Sequence, residues 1–361
     1  MQDIDGISTA APTLLGSLLA PTTLAGLQLG SRLVMAPMTR GRSPGGVPTP
    51  EVAAYYRRRA EHRIGLIITE GVLVGHPSAG HETAVPRMTA GPAESGWRLV
   101  TDEVHAAGGR IAAQLWHVGS ARECTDGIAA WTPSGVPHGT HAMTLADLDT
   151  VVTVYAEAAR SAVRAGFDAV EIHAAHGYLL DEFLWSRTNR RTDGFGGSAA
   201  GRAAFPTEII RAVRAQLPAG MPLIVRFSQF KERDYAARIA GSAAELAVIL
   251  EAFAAAGADV LHASQRRFAD PAFPGSSRNL AGWARHITGL PSITVGSVGL
   301  TRAFLSSGAL RGLLDRLDAG EFDLVALGRV LLGNPAWATL AAAGRLDEIH
   351  DYQKSDEERY V

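Results

Sequence analysis

The densest chemistry in the chain is a pair of histidines three residues apart with a tyrosine two residues on: His173, His176 and Tyr178. Imidazoles at that spacing can converge on one small anion or carbonyl oxygen. A tyrosine, with an ordinary pKa of about 10, keeps its proton at neutral pH and can stand beside them as a donor. The same pair offers the start of a metal site, with Glu171 or Asp181 beside it and His117 or His262 as a third ligand. An i,i+3 pair at a strand end is not the helical H-E-x-x-H arrangement, however, and no metal is expected.

Composition narrows the remaining chemistry. Cys124 is the single cysteine, so there is no internal disulfide, four-cysteine zinc site or thiolate set for an iron–sulfur cluster. Lys231 and Lys354 are the only lysines, which leaves few candidates for a Schiff base. With 34 Lys+Arg against 36 Asp+Glu the formal charge is −2, and the footprint of a nucleic-acid binder is absent. Hydrophobic residues at 47% and charged residues at 19% suit a chain that buries a core. The opening 1–9 carries Asp3 and Asp5 and no basic residue, unlike a secretory signal. The most apolar helical stretch, 244–256, is interrupted by Glu245 and Glu251 and is too short to span a bilayer. The expectation is a soluble, cytoplasmic protein with no membrane or nucleic-acid partner; a homo-oligomer is compatible with it.

These residues need elements to hold them. Apolar, β-branched runs at 32–36, 65–70, 110–116, 168–173, 223–227, 259–264, 293–297 and 324–328 predict strands. Stretches of helical period follow them at 50–62, 93–107, 150–165, 201–216, 242–256, 279–287, 301–319 and 335–343. Eight β-then-α units predict a single (β/α)8 TIM barrel, one domain over 1–361 with its core at about 32–343. A doubly wound open sheet is the alternative, but no G-x-G-x-x-G follows the first strand. In the fourth strand Val170 and Ile172 face the helices, while Glu171 and His173 face the barrel axis, with His173 at the carboxyl end. Long connections at 119–149, 176–198 and 264–278 all follow strands and predict pocket walls or lids on the C-terminal face.

Seven segments then carry a resemblance. MAPMTR (35–40), ITEG (68–71), QLWH (114–117), HAAHGY with RRTDGFGGS (173–198), RFS (226–228), VGS (295–297) and ALGRVLLGNP (326–335) resemble the Old Yellow Enzyme family of flavin-dependent ene-reductases. The match runs from Arg32 to about Trp337, and HAAHGY followed by RRTDGFGGS is its specific part.

The resemblance implies FMN across the barrel top and NAD(P)H as reductant. Gly296, Ser297, Gly328 and Arg329 resemble the phosphate clamp, whose other reading is turn glycines and a surface arginine. Pro37, Met38 and Thr39 resemble the segment under the isoalloxazine, with Thr39 as the hydroxyl at its C4 carbonyl. Gln114 resembles the amide that reads the pyrimidine edge, and Arg226 the cation near N1–C2; a buried polar network is the other reading of both. Gly71 resembles a backbone contact. His173 and His176 would hold the oxygen of an α,β-unsaturated carbonyl or nitro alkene, and Tyr178 would protonate the α-carbon. Desaturation, isomerisation or nitro-ester reduction are alternatives within flavin chemistry, and a metal-dependent barrel hydrolase is the remote one.

The chain also departs from the family. Ser120 stands where relatives often carry Arg, and Asp181 where many have Gln, Asn or His. VGSVG replaces AGN-like text, and the segments 226–241 and 262–273 are not family text. Arg266 and Arg267, in the second of these, have a solvated loop pair or a contact to a pyridine-nucleotide phosphate as their readings.

Overall fold

The computed structural model describes residues 14–361; the acidic opening stretch, 1–9, lies outside them. Eight parallel strands pair in sequence order and close on themselves. They are β1 (Leu33–Met35), β2 (Leu66–Leu73), β3 (Ile111–Trp116), β4 (Ala169–His176), β5 (Leu223–Lys231), β6 (Val260–Ser264), β7 (Ser292–Val295) and β8 (Leu324–Leu327). The helices between and after them are α1 (Pro50–Ala60), α2 (Pro92–Ala106), α3 (Leu145–Arg164), α4 (Ala199–Arg214), α5 (Ala243–Ala255), α6 (Leu280–Thr288), α7 (Gly308–Asp318) and α8 (Trp337–Ala342). This is the (β/α)8 barrel that the alternating runs predict.

The strands sort their side chains by parity. Val170 and Ile172 of β4 pack among the helix residues. Ala169, Ile224, Val260, Ile293 and Leu324 fill the base of the barrel with Leu24 and Leu29, from the antiparallel hairpin Thr22–Leu24 and Leu27–Leu29. Burying an aliphatic side chain of this size contributes roughly 1.5–3 kcal/mol, so the base is a packed plug. Polar residues inside the barrel are left to its upper end.

Three strand starts repeat one device. The aspartate just before β4, β6 and β8 accepts the first N–H of the preceding strand. Asp168 takes Ile111 N, Asp259 takes Leu223 N and Asp323 takes Ser292 N, each at 2.8 Å. Each carboxylate also meets a basic side chain from the helix that precedes the first strand of the pair: His105 of α2 for Asp168, Arg214 of α4 for Asp259 and Arg285 of α6 for Asp323. One side chain thereby satisfies an orphan strand N–H and pins a helix to the sheet.

Several boundaries differ from those the sequence predicts. The stretch 301–319 is two helices, Arg302–Ser306 and α7, because Ser307 is extended and its hydroxyl accepts Ala309 N; serine favours such a cap over a helix interior. Helix α3 starts at Leu145, not 150, where Thr144 and Asp147 form a capping box. The connection 119–149 holds a two-stranded parallel sheet, Trp131–Thr132 with His141–Ala142, and 176–198 holds a helix, Leu179–Leu184. Strands β4 and β5 continue past 173 and 227, since their pairing resumes after an irregularity and joins His176 to Lys231. Part of the segment 228–241 is therefore strand. β7 stops two residues short of 297 because Ser297 turns to φ 57°. Among the described residues no helix is long and apolar enough to cross a membrane.

Asp259→Ala strips Leu223 N of its acceptor at the closed base of the barrel. It should lower unfolding stability by about 1–3 kcal/mol in a denaturant titration, without changing the absorbance spectrum of bound flavin.

Candidate active site

A cavity of about 810 Å³ opens at the carboxyl ends of the strands. All the residues that the resemblance assigns to the flavin or the substrate line it. Pro37, Met38 and Thr39 follow β1; Gly71 and Gln114 lie on β2 and β3; His173, His176 and Tyr178 come from the end of β4 and just beyond. Arg226 comes from β5, Gly296 and Ser297 follow β7, and Gly328 and Arg329 follow β8. Its size suits a cofactor or drug-sized ligand.

The two imidazoles stand edge to face, 5.2 Å between ring centres at 84°. His173 Nδ1 accepts Ala175 N at 3.3 Å, which places that ring's proton on Nε2. His176 Nε2 lies 2.8 Å from Ser264 Oγ. When that hydroxyl donates, the His176 proton sits on Nδ1, the nitrogen without a protein partner. Burial, and next the positive charge of Arg226, hold both rings well below the ordinary histidine pKa. Each is a neutral imidazole with a single N–H.

His176 is clamped from the sequence-unusual side of the barrel. Its φ of 68° is uncommon for a residue with a Cβ. Its N–H donates to Ser228 Oγ at 2.9 Å, and that hydroxyl donates to Phe230 O at 2.7 Å. Its carbonyl accepts Glu232 N at 3.1 Å. The next residue, Gly177, takes φ 90°, and its N–H donates to Asp181 Oδ2 at 2.6 Å. Asp181 in turn holds Lys231 Nζ at 2.6 Å in a buried pair. Burial pushes the Asp181 carboxyl up to about 6, against the pull of the Lys231 ammonium.

Tyr178 packs edge-on against His173 and Trp116, with ring centres 5.0 and 4.9 Å away. Its hydroxyl donates to Glu232 Oε2 at 3.1 Å, and burial first, then Glu232, raises its pKa. It is a neutral phenol throughout the physiological range. Trp116 also accounts for Gly71: a Cβ there would sit 2.4 Å from the indole. That glycine is required by the tryptophan, whatever its backbone does for a ligand.

Arg226 is the electrostatic centre of the cavity. It is 6% exposed, its Nε has no partner, and no described hydrogen bond or ion pair reaches its guanidinium. In register it sits between His173 and His262. The carboxylate whose charge acts most on it, ahead of Glu232, is Glu171, which is occupied by Gln114 Nε2 at 2.7 Å and His262 Nδ1 at 2.6 Å. Gln114 therefore spends its amide N–H on Glu171 and keeps its oxygen. Among the described residues no three His, Cys, Asp or Glu are grouped to hold a metal.

Some placements qualify the sequence reading. Ser297 Oγ donates to Arg266 O at 2.7 Å, so what this residue offers the cavity is its backbone. Arg329 is exposed, with its guanidinium 5.1 Å from the centre of the Tyr352 ring. Arg266 lies over Tyr235 at 3.8 Å, also on the cavity wall. His117 is buried, bonded to Ser78 Oγ and Gly119 N, and does not line the cavity. Sequence reasoning passed over Glu70, Trp116, Ser264 and Glu232. Glu70 Oε2 accepts Arg40 N and Gly41 N at 2.8 and 2.9 Å and so fixes the loop of Pro37–Thr39. Burial pushes it up to about 7. The strand-end position of Glu70 in ITEG and of Ser264 in β6 was a usable signal; Glu232 had none.

The histidines generate a pH prediction. Both bind a proton less tightly in the folded chain than at the ordinary value of 6.5. Their contribution to stability is thus complete above pH 6.5 and is lost as the pH falls below it. Nitrogen-15 spectra at pH 6.0 should show both rings neutral, with His173 as the Nε2–H form. An imidazolium signal at either position in the folded protein contradicts the geometry.

Comparison with known proteins agrees with this architecture. The model of the NADH:flavin oxidoreductase / NADH oxidase family matches residues 17–348. The 12-oxophytodienoate reductase 7 of Oryza sativa subsp. japonica is 32% identical over 348 residues, covering 88% of this chain and 86% of that protein. The NADH oxidase of Thermoanaerobacter brockii is 32% identical over 342 residues; this chain spans 50% of its length. The solved structure of morphinone reductase superposes with a TM-score of 0.80 at 29% identity, over 97% of this chain and 94% of that one. The chain belongs to the NADH:flavin oxidoreductase / NADH oxidase family, the Old Yellow Enzyme group of FMN-dependent, NAD(P)H-driven barrel oxidoreductases.

Proposed function

We propose that this oxidoreductase reduces activated alkenes, adding hydrogen across the double bond of an α,β-unsaturated carbonyl compound or a nitro alkene. One observation carries the reading. A buried guanidinium without a partner and two neutral imidazoles share one cavity.

The residues fit FMN. A buried charge is costly until something pairs with it, and Arg226 is suited to the electron-rich N1–C2 edge of an isoalloxazine. The free oxygen of Gln114 suits the imide N–H beside that edge, and the loop of Pro37, Met38 and Thr39 closes the same side. Gly296, Ser297, Gly328 and Arg329 would take the phosphate through backbone N–H groups and one guanidinium. Gly71 adds only room for Trp116. Bound FMN supplies hydride, drawn from NAD(P)H, to the alkene β-carbon.

The chain's own residues do the rest. His173 Nε2–H and His176 Nδ1–H hold the substrate oxygen and stabilise the charge that develops there. Because both rings are neutral, each gives one directed N–H without a competing proton transfer. Ser264 acts through His176 by holding its Nε2 and so orienting the ring. Tyr178 keeps its proton in the ground state and delivers it to the α-carbon.

The test is spectroscopic. The protein should be yellow as isolated or after FMN addition, bleach under NADH or NADPH without oxygen, and regain colour on addition of cyclohexenone. Bleaching with no recovery for any enone or nitro alkene rules out alkene reduction. Arg226→Met should weaken FMN binding by about tenfold or more, the scale of a lost charged hydrogen bond, read by flavin fluorescence on dilution. Ser264→Ala should cut kcat/KM for cyclohexenone by about tenfold, with a smaller effect on the rate of bleaching.

A further inference from the structure

We infer that Glu232 is the proton-relay residue of the site: it reprotonates Tyr178 after each turnover and connects the phenol to bulk water. The inference rests on Tyr178 being the proton donor. Its ground is placement. Glu232 lies in the segment after β5 that departs from family text, its side chain lines the cavity, and it is exposed to solvent. Among the described contacts its carboxylate has one partner, the Tyr178 hydroxyl at 3.1 Å, and no Lys, Arg or His within ion-pair distance. Other carboxylates of the chain, Glu94, Glu245 and Glu321, are instead taken up by arginines.

The contact is held from behind. Glu232 N bonds the carbonyl of His176, and the preceding residue is Lys231, locked into the buried pair with Asp181. The two chain positions that present phenol and carboxylate to each other are thus fixed to one turn. Tyr178 is half-buried against Trp116 and His173, and its phenolate would be a strong base. At the hydroxyl edge of the ring the protein group within hydrogen-bond reach is the Glu232 carboxylate, which itself meets water.

The step balances as follows. The α-carbon forms its C–H bond as the Tyr178 O–H bond breaks, leaving a phenolate. The Glu232 carboxylate, which accepts the Tyr178 O–H in the resting site, takes a proton from hydronium and hands it to the phenolate, becoming a carboxylate again. One solvent proton enters per product, and both residues return to their starting states.

Chemical rescue separates a relay from a structural contact. In Glu232→Ala, alkene-dependent reoxidation should fall by about tenfold relative to flavin reduction, near the lower end of general acid–base contributions. Formate or acetate should restore it in proportion to concentration in this variant and not in wild type. Glu232→Asp should recover part of the rate without added acid. A second readout needs no turnover: the Cζ carbon resonance of Tyr178, assigned by its loss in Tyr178→Phe, should shift in Glu232→Ala and return with formate. If Tyr178→Phe leaves reoxidation unchanged, the donor assignment fails and the relay with it. If Tyr178→Phe slows reoxidation while Glu232→Ala does not, or is slowed without rescue, the relay alone is wrong.

Discussion

A positive charge buried without a partner is the constraint around which the upper barrel is built. Taking a guanidinium out of water costs several kcal/mol unless something nearby compensates. Around Arg226 the compensation is partial: Glu171 lies below it, already bonded to Gln114 and His262. The remainder of the field falls on His173 and His176 and helps keep their imidazoles neutral. One charge therefore does two things. It leaves a binding demand at the cavity wall that an electron-rich ring edge can meet, and it adds to burial in keeping the neighbouring imidazoles neutral.

The rest of the barrel makes that arrangement tolerable. A closed eight-stranded sheet has no edge, and its base is an aliphatic plug with aspartate staples at alternate strand starts. Those staples use charge where solvent is close and the hydrogen-bond partners are backbone, so they add stability at low desolvation cost. Strained and unpaired features that face the cavity gather at the opposite end: His176 at positive φ, the orphan Arg226 and the half-satisfied Glu70. Stability at one end and strain at the other is the division a barrel enzyme is expected to show.

Most of the fold was legible because its signals are periodic and local. Alternation along 168–173 put Glu171 and His173 on the barrel axis, and that is where they lie. Position at the end of a predicted strand, for Arg226, or just after one, for Thr39 and Arg329, was enough to bring the three to one end. What remained illegible depends on contacts between distant segments. No spacing rule reveals that Ser264 meets His176 across 88 residues, or that the indole of Trp116 occupies the place of a Gly71 side chain. The break at Ser307 was missed for a different reason: helical period continues on both sides of it, and only the serine's preference for capping marks the interruption.

The departures from family text make sense once they are seen together. Asp181 follows β4 by five residues and Lys231 ends β5, and as isolated substitutions each would bury a charge. Paired at 2.6 Å they cancel, and the pair also takes the Gly177 N–H. The aspartate so fixed sits four residues beyond that turn, and the lysine leads directly into Glu232. Breaking either partner would leave the other buried and uncompensated, a loss of about 3–5 kcal/mol on precedent. Exchanging both for a neutral pair would preserve packing yet loosen the hold on the Gly177 N–H. The two changes are therefore one device, and what it supports is the turn that presents His176 and Tyr178 to the cavity.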